Sequence, residues 1–110
     1  MINGLWSVQF SSSSGSFGGG IVVFQNGKVY GGDLGYYYIG SYKIEDDLIS
    51  GEVAVANYSG APHSVFGPIN NFKLVLSGKV HSTNMTLNGN LVGQPNMTIG
   101  IQCTKRAEIS

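Results

Sequence analysis

Apolar and polar residues alternate along most of the chain. Trp6, Val8 and Phe10 fall on one face of the first such segment. Ser7 and Gln9 fall on the other face. This period of two predicts a β-strand with one buried face. Seven further segments have strand character: 17–24, 29–31, 36–43, 48–58, 72–76, 85–91 and 97–103. The pattern therefore predicts about eight short strands and no helix.

Short turns separate these segments. Asn26 and Gly27 lie between two apolar runs, and an Asn-Gly pair in that position predicts a two-residue β-hairpin because both residues tolerate positive φ. Asp33 follows two glycines, and we expect its side chain to close a turn by accepting hydrogen bonds from backbone N–H groups. In the run Tyr36–Tyr38, we expect Tyr37 to point to the opposite face from its two neighbours.

Eight short antiparallel strands in sequence order favour a single all-β domain over residues 1–110, folded as an eight-stranded up-and-down barrel. Closure removes the unpaired edge strands that an open sheet or sandwich exposes. The interior of such a barrel is either filled by side chains or holds one small ligand. Glycines within the strands, at Gly19, Gly51, Gly89 and Gly100, either mark bends of the sheet or leave interior space unfilled.

The composition excludes several classes of protein. Charged residues are 11% of the chain, against roughly 25% in a typical domain. Six basic residues balance six acidic ones, so the basic surface that direct nucleic-acid binding requires is missing. Cys103 is the only cysteine, which excludes an intrachain disulfide. The sequence has no signal-peptide pattern and no apolar run long enough for a membrane span, so we predict a cytoplasmic location.

The sequence offers little for catalysis. His63 and His81 are the only histidines, and Cys103 lies in an alternating strand rather than beside an evident base. No paired His or Cys spacing of the kind that holds a metal is present. We therefore predict a protein that is not an enzyme and that uses no metal and no cofactor.

The first strand begins with Gly4, Leu5 and Trp6. This triplet resembles the Gly-x-Trp signature of the lipocalins and the wider calycin group. The resemblance implies that Trp6 plugs one end of the barrel and that a basic residue after the last strand lies over its ring, a contact worth about 0.5 to 2 kcal/mol. Arg106 is the candidate for that residue and Lys105 the alternative. Trp6 can equally be an ordinary core tryptophan.

A second resemblance covers most of the chain. The sequence resembles the GrlR family, which comprises small negative regulators of type III secretion gene expression, at Asn26, Gly27, Val29, Gly31, Gly32, Asp33, Tyr38, Gly40 and the loop 44–48. The resemblance implies a lipocalin-like eight-stranded barrel that forms a homodimer. It also implies that the protein binds and represses a helix-turn-helix transcriptional activator.

The GrlR family presents a Glu-Asp-Glu-Asp tip in its recognition loop, and the corresponding segment here reads Ile44, Glu45, Asp46 and Asp47. The resemblance thus implies that Glu45, Asp46 and Asp47 bind the partner, with Ile44 in place of the first acid. An exposed carboxylate cluster can occupy the basic surface of a DNA-binding activator and steer its association. The alternative is a solvated hairpin turn, in which acidic residues are common.

A function of another class is a small carrier or sensor that binds an apolar molecule or lipid in the barrel. The candidate ligand-binding residues are the apolar residues expected to face inward from the later strands. These are Val53, Val55, Phe72, Leu74, Met85, Leu87, Ile99 and Ile101. This function requires a hollow interior, and a barrel of such short strands can instead be filled by its own side chains.

Overall fold

The computed structural model describes residues 2–60 and 69–109. The eight strands are β1 (Gly4–Ser12), β2 (Phe17–Gln25), β3 (Lys28–Gly32), β4 (Tyr36–Glu45), β5 (Leu48–Asn57), β6 (Asn71–Lys79), β7 (Asn84–Leu91) and β8 (Gln94–Ala107). Each strand pairs antiparallel with the next, and β1 pairs with β8, so the sheet closes into a barrel. The predicted all-β, eight-stranded antiparallel barrel is confirmed. The described residues contain no helix and hence none able to span a membrane.

Local sequence chemistry accounts for these strands. The hairpin between β2 and β3 has Asn26 at φ 50° and Gly27 at φ 84°, the left-handed conformations that an Asn-Gly pair tolerates. In β4, Tyr36 and Tyr38 are buried, whereas Tyr37 is 45% exposed on the outer face. The predicted hairpin and the predicted alternation of the tyrosines are both confirmed.

The barrel has two different ends. The end that carries the start of β1 and the hairpins at residues 26–27 and 46–47 is filled by Trp6 and is here called the closed end. Trp6 is fully buried, its Nε1 donates a hydrogen bond to the backbone oxygen of Ile2 (2.9 Å), and its ring meets that of Phe24 edge-on at 5.8 Å. The opposite end, here called the mouth, carries the connections at residues 13–16, 33–35 and 92–93.

The basic residues of β8 take different positions at the closed end. The pairing register of β1 and β8 shifts between Leu5, which pairs with Ala107, and Trp6, which pairs with Lys105. Arg106 is therefore not paired with a residue of β1. Arg106 lies on the outer surface, where its Nε donates a hydrogen bond to Ser7 Oγ (2.8 Å). The structure therefore places Lys105, the alternative offered by the sequence, beside the tryptophan.

Inward-facing glycines allow the sheet to curl tightly. A Cβ atom at Gly40 would lie 2.3 Å from the backbone oxygen of Glu52, and one at Gly89 would lie 1.8 Å from that of Val75. Neighbouring strands approach too closely there for any side chain, as at a bend of the sheet. Gly51 borders the cavity, and a Cβ atom there would also lie only 2.7 Å from the backbone oxygen of Ser41. The two roles considered for the strand glycines thus coincide at Gly51.

Candidate functional site: an apolar cavity

The barrel is hollow between Trp6 and the mouth. A cavity of about 740 Å³ runs through its interior, and all eight strands contribute to its wall. The wall is mainly aliphatic and aromatic: Val8, Phe10, Val22, Phe24, Val29, Tyr36, Tyr38, Tyr42, Ile49, Val53, Val55, Phe72, Leu74, Leu76, Leu87, Ile99, Ile101 and Cys103. The mouth is bordered by Ser16, Phe17, Asp33, Leu34, Gly35 and Ser59.

Seven of the eight candidate ligand-binding residues line this cavity: Val53, Val55, Phe72, Leu74, Leu87, Ile99 and Ile101. Met85 does not line it. Its side chain is 1% exposed and packs in the core, on a strand that begins at the closed end. The structure therefore brings together the later-strand residues that the sequence singled out, except for Met85.

Small residues on the inner faces help to keep the barrel hollow. Gly18 and Gly51 line the cavity and contribute no side chain to it. A Cβ atom at Gly18 would lie 2.5 Å from Phe10 Cε2, so the phenyl ring occupies the place of a Gly18 side chain. The ring of Phe10 also meets the ring of Tyr38 edge-on at 6.5 Å. These two contacts hold the Phe10 ring against the barrel wall, so the ring does not fill the interior.

A hydrogen-bonded carboxylate lies at the mouth. Asp33 Oδ1 accepts hydrogen bonds from the backbone N–H groups of Gly35 and Tyr36, both at 2.8 Å. Asp33 Oδ2 accepts a hydrogen bond from the hydroxyl of Tyr38. The backbone oxygen of Asp33 accepts a further bond from the hydroxyl of Tyr58 (2.5 Å). The predicted turn-closing role of Asp33 is confirmed, and the same side chain also borders the cavity.

Burial keeps the hydroxyl of Tyr38 in its protonated form. Its pKa is raised well above the usual tyrosine value, first because burial disfavours the phenolate and then because its hydroxyl donates to the Asp33 carboxylate. A Cβ atom at Gly20 would lie 3.1 Å from this hydroxyl and 3.3 Å from Asp33 Cβ. The glycine thus leaves space for the Tyr38–Asp33 pair.

Cys103 borders the cavity without the features of a nucleophile. Its side chain is 2% exposed, and burial raises the pKa of its thiol to about 12. The thiolate is the reactive form of cysteine, so the folded protein keeps this group unreactive near neutral pH. Within residues 2–60 and 69–109, no three His, Cys, Asp or Glu side chains are grouped so as to hold a metal ion. His63 lies outside the described residues.

The acidic hairpin lies at the closed end, far from the mouth. Its three acidic side chains are exposed. Glu45 forms an ion pair with Lys43 (3.5 Å), and Asp47 forms one with Lys79 (3.5 Å). Asp46 has φ 59° and makes no ion pair within the described part of the chain. Two lysines of the same chain therefore offset much of the field of the three carboxylates.

Sequence reasoning missed the polar group of the cavity. The sequence indicated Asp33 as a turn residue and placed Tyr38 on the face opposite to Tyr37, but it did not indicate that Asp33 and Tyr38 meet. Asp33 follows a strand end and Tyr38 is the third residue of the next strand. An acid at a hairpin turn followed by an inward tyrosine on the adjoining strand is the signal that could have indicated this pair.

Comparisons with known proteins support the fold alone. The sequence matches no protein-family model and no curated protein. The solved structure of a redesigned beta barrel is similar to this chain, with a TM-score of 0.51 and 11% sequence identity, over 96% of this chain and 91% of that one. At this identity the likeness shows a shared β-barrel fold.

Proposed function

We propose that this protein binds a small, largely apolar molecule inside the barrel, as a carrier or sensor. The observation that carries the proposal is the hollow interior. Its volume of about 740 Å³ lies within the range of roughly 300 to 1,000 Å³ found for small-molecule sites. Its wall is mainly apolar with a few polar groups, as in such sites.

The energetics favour an occupied cavity. Side chains that border empty space lose the dispersion contacts that a filled interior would provide. An apolar ligand restores those contacts and removes its own surface from water, which contributes about 25 cal/mol per Å². The closed end, filled by Trp6, leaves the mouth as the route of entry.

The test combines native mass spectrometry with a matched pair of variants. We expect freshly purified protein to carry an apolar adduct, or to bind an added apolar fluorescent probe. Val53 lines the cavity and pairs with Gly40 of the neighbouring strand. Val53→Trp therefore places an indole in the cavity and should abolish probe binding. Val75→Trp makes the same change on the outer face, where Val75 is 38% exposed, and should leave binding intact. No adduct and no probe binding in the wild type would reject the proposal.

A second candidate function is the one implied by the resemblance to the GrlR family, repression of a helix-turn-helix activator in the cytoplasm. It is supported by the exposed carboxylates at the hairpin tip, with Asp46 free of an ion pair in the part of the chain described. Steering by such charges is screened by salt. Reversing the charges of Glu45, Asp46 and Asp47 should therefore weaken activator capture most at low salt, and unchanged capture would reject this function.

The predicted homodimer is supported by an apolar outer face on β2–β4. Ile21, Tyr30, Tyr37 and Ile39 are each 45% exposed or more and lie in two adjacent rows of the sheet. Large exposed apolar patches are typical of interaction surfaces. Sedimentation of the wild type should give a dimer that Ile39→Lys dissociates, and a monomeric wild type at high concentration would contradict the prediction.

A further inference from the structure

One charged group borders the cavity. Among the described residues that line it, Asp33 is the only acidic residue, and none is Lys, Arg or His. The polar end of the cavity thus presents a negative charge without a neighbouring cation from the described wall.

The Asp33 carboxylate is held in place and still has capacity to bind. Its two oxygens offer about four acceptor sites. Three of these accept from the backbone of Gly35, the backbone of Tyr36 and the hydroxyl of Tyr38. The fourth acceptor site of the Asp33 carboxylate therefore suits a ligand that donates a hydrogen bond. A preorganised carboxylate of this kind costs little to position on binding.

Aromatic rings line the cavity together with this carboxylate. Phe10 packs edge-on against Tyr38 at 6.5 Å, and Tyr38 is bonded to Asp33. Phe17 also borders the mouth and is 81% exposed. Aromatic rings attract cations through their negative faces, most strongly where water is excluded. An anion with aromatic neighbours therefore suits a positively charged nitrogen.

From this arrangement we infer that the ligand is an amphiphile with a cationic nitrogen head bound by Asp33 and an apolar tail in the barrel. The inference rests on the proposed function and specifies the class of ligand. A carboxylate head, as in a fatty acid, would meet the charge of Asp33 at the same place without a basic residue of the described wall to compensate it. A neutral alcohol can donate one hydrogen bond to Asp33 but gains no charge attraction.

The test compares three probes that share one tail: dodecylammonium, dodecanol and dodecanoate, each below its micelle-forming concentration. For the wild type we expect dodecylammonium to bind about tenfold or more tighter than dodecanoate, with dodecanol between them. Asp33→Asn removes the charge and keeps an oxygen acceptor for the turn. This variant should lose most of the preference while its affinity for dodecanol stays close to that of the wild type.

Glu52→Gln is the matched control, because it removes one negative charge from an exposed outer-face residue. The headgroup preference should be unchanged in this variant. If Asp33→Asn does not fold, the order of the three probes on the wild type still decides. Equal or tighter binding of dodecanoate, with dodecanol bound, would overturn the inference and leave the proposed function intact. Binding of none of the three probes would instead reject the proposed function.

Discussion

Lys105 stands directly opposite Trp6 across the pairing of β1 with β8, the contact that closes the barrel. Its side chain is 10% exposed, and its Nζ forms an ion pair with Glu108 Oε1 at 2.7 Å. A Cβ atom at Gly4 would lie 2.6 Å from Lys105 Cε, so the lysine chain occupies the surface that Gly4 leaves bare. The glycine, the tryptophan and the lysine thus form one packed unit at the closed end.

This unit predicts a specific pattern of energetic coupling. Trp6→Ala should lower the free energy of unfolding by about 3 to 5 kcal/mol, because it empties a fully buried site. In double-mutant cycles from urea unfolding, Trp6→Ala and Lys105→Ala should couple by roughly 0.5 kcal/mol or more, since directly paired residues interact. Trp6→Ala and Arg106→Ala should add within about 0.5 kcal/mol. Stronger coupling to Arg106 than to Lys105 would contradict the observed register.

The turn between β3 and β4 predicts an order of stability losses. Asp33→Ala removes three side-chain hydrogen bonds and should lower the free energy of unfolding by about 1 to 3 kcal/mol. Tyr38→Phe removes one of them and should cost about 0.5 to 1.5 kcal/mol. The double variant should lose less than the sum, because both changes break the same bond. Urea unfolding measures all three losses, and full additivity would show that the pair does not interact.

The strands and turns follow from local chemistry and were therefore predictable. The period of two indicated that Tyr37 faces away from Tyr36 and Tyr38, and the Asn26–Gly27 pair indicated its own hairpin. The resemblance to the GrlR family involves these same residues. Both the strand pattern and the resemblance therefore predicted a barrel of this kind. The pairing of β1 with β8 confirms the closed fold, and no local sequence pattern predicts that pairing.

The cavity was not predictable, because alternation indicates which way a side chain points and not whether opposite walls meet. That outcome depends on where glycines replace side chains in three dimensions, as at Gly18 and Gly51. The acidic hairpin shows the same limit. Lys43 and Glu45 share a face two residues apart in sequence, but the approach of Lys79 to Asp47 depends on the register of β5 with β6.

Asp46 provides a prediction about turn strain. It is one of two described non-glycine residues with positive φ, at 59°. Glycine adopts this conformation without the steric cost that a Cβ atom imposes. Asp46→Gly should therefore raise the free energy of unfolding, by up to about 1 kcal/mol. Asp46→Asn also removes the charge but keeps a side chain that tolerates this conformation, so its stability should stay close to that of the wild type. An equal gain in both variants in urea unfolding would assign the effect to charge.

Alkaline pH should destabilise the protein through Cys103 and Tyr38. The pKa of Cys103 rises from 9.0 to about 12 on folding, and that of Tyr38 is also raised. Because the folded state holds these protons more tightly, their contribution to stability is complete below the unfolded values and is lost as pH rises toward the folded ones. Each group contributes at most about 1.4 kcal/mol per pH unit. The free energy of unfolding should therefore fall from about pH 9 upward. Cys103→Ala should be less stable at neutral pH but show a shallower decline, and a slope equal to that of the wild type would contradict the role of the thiol.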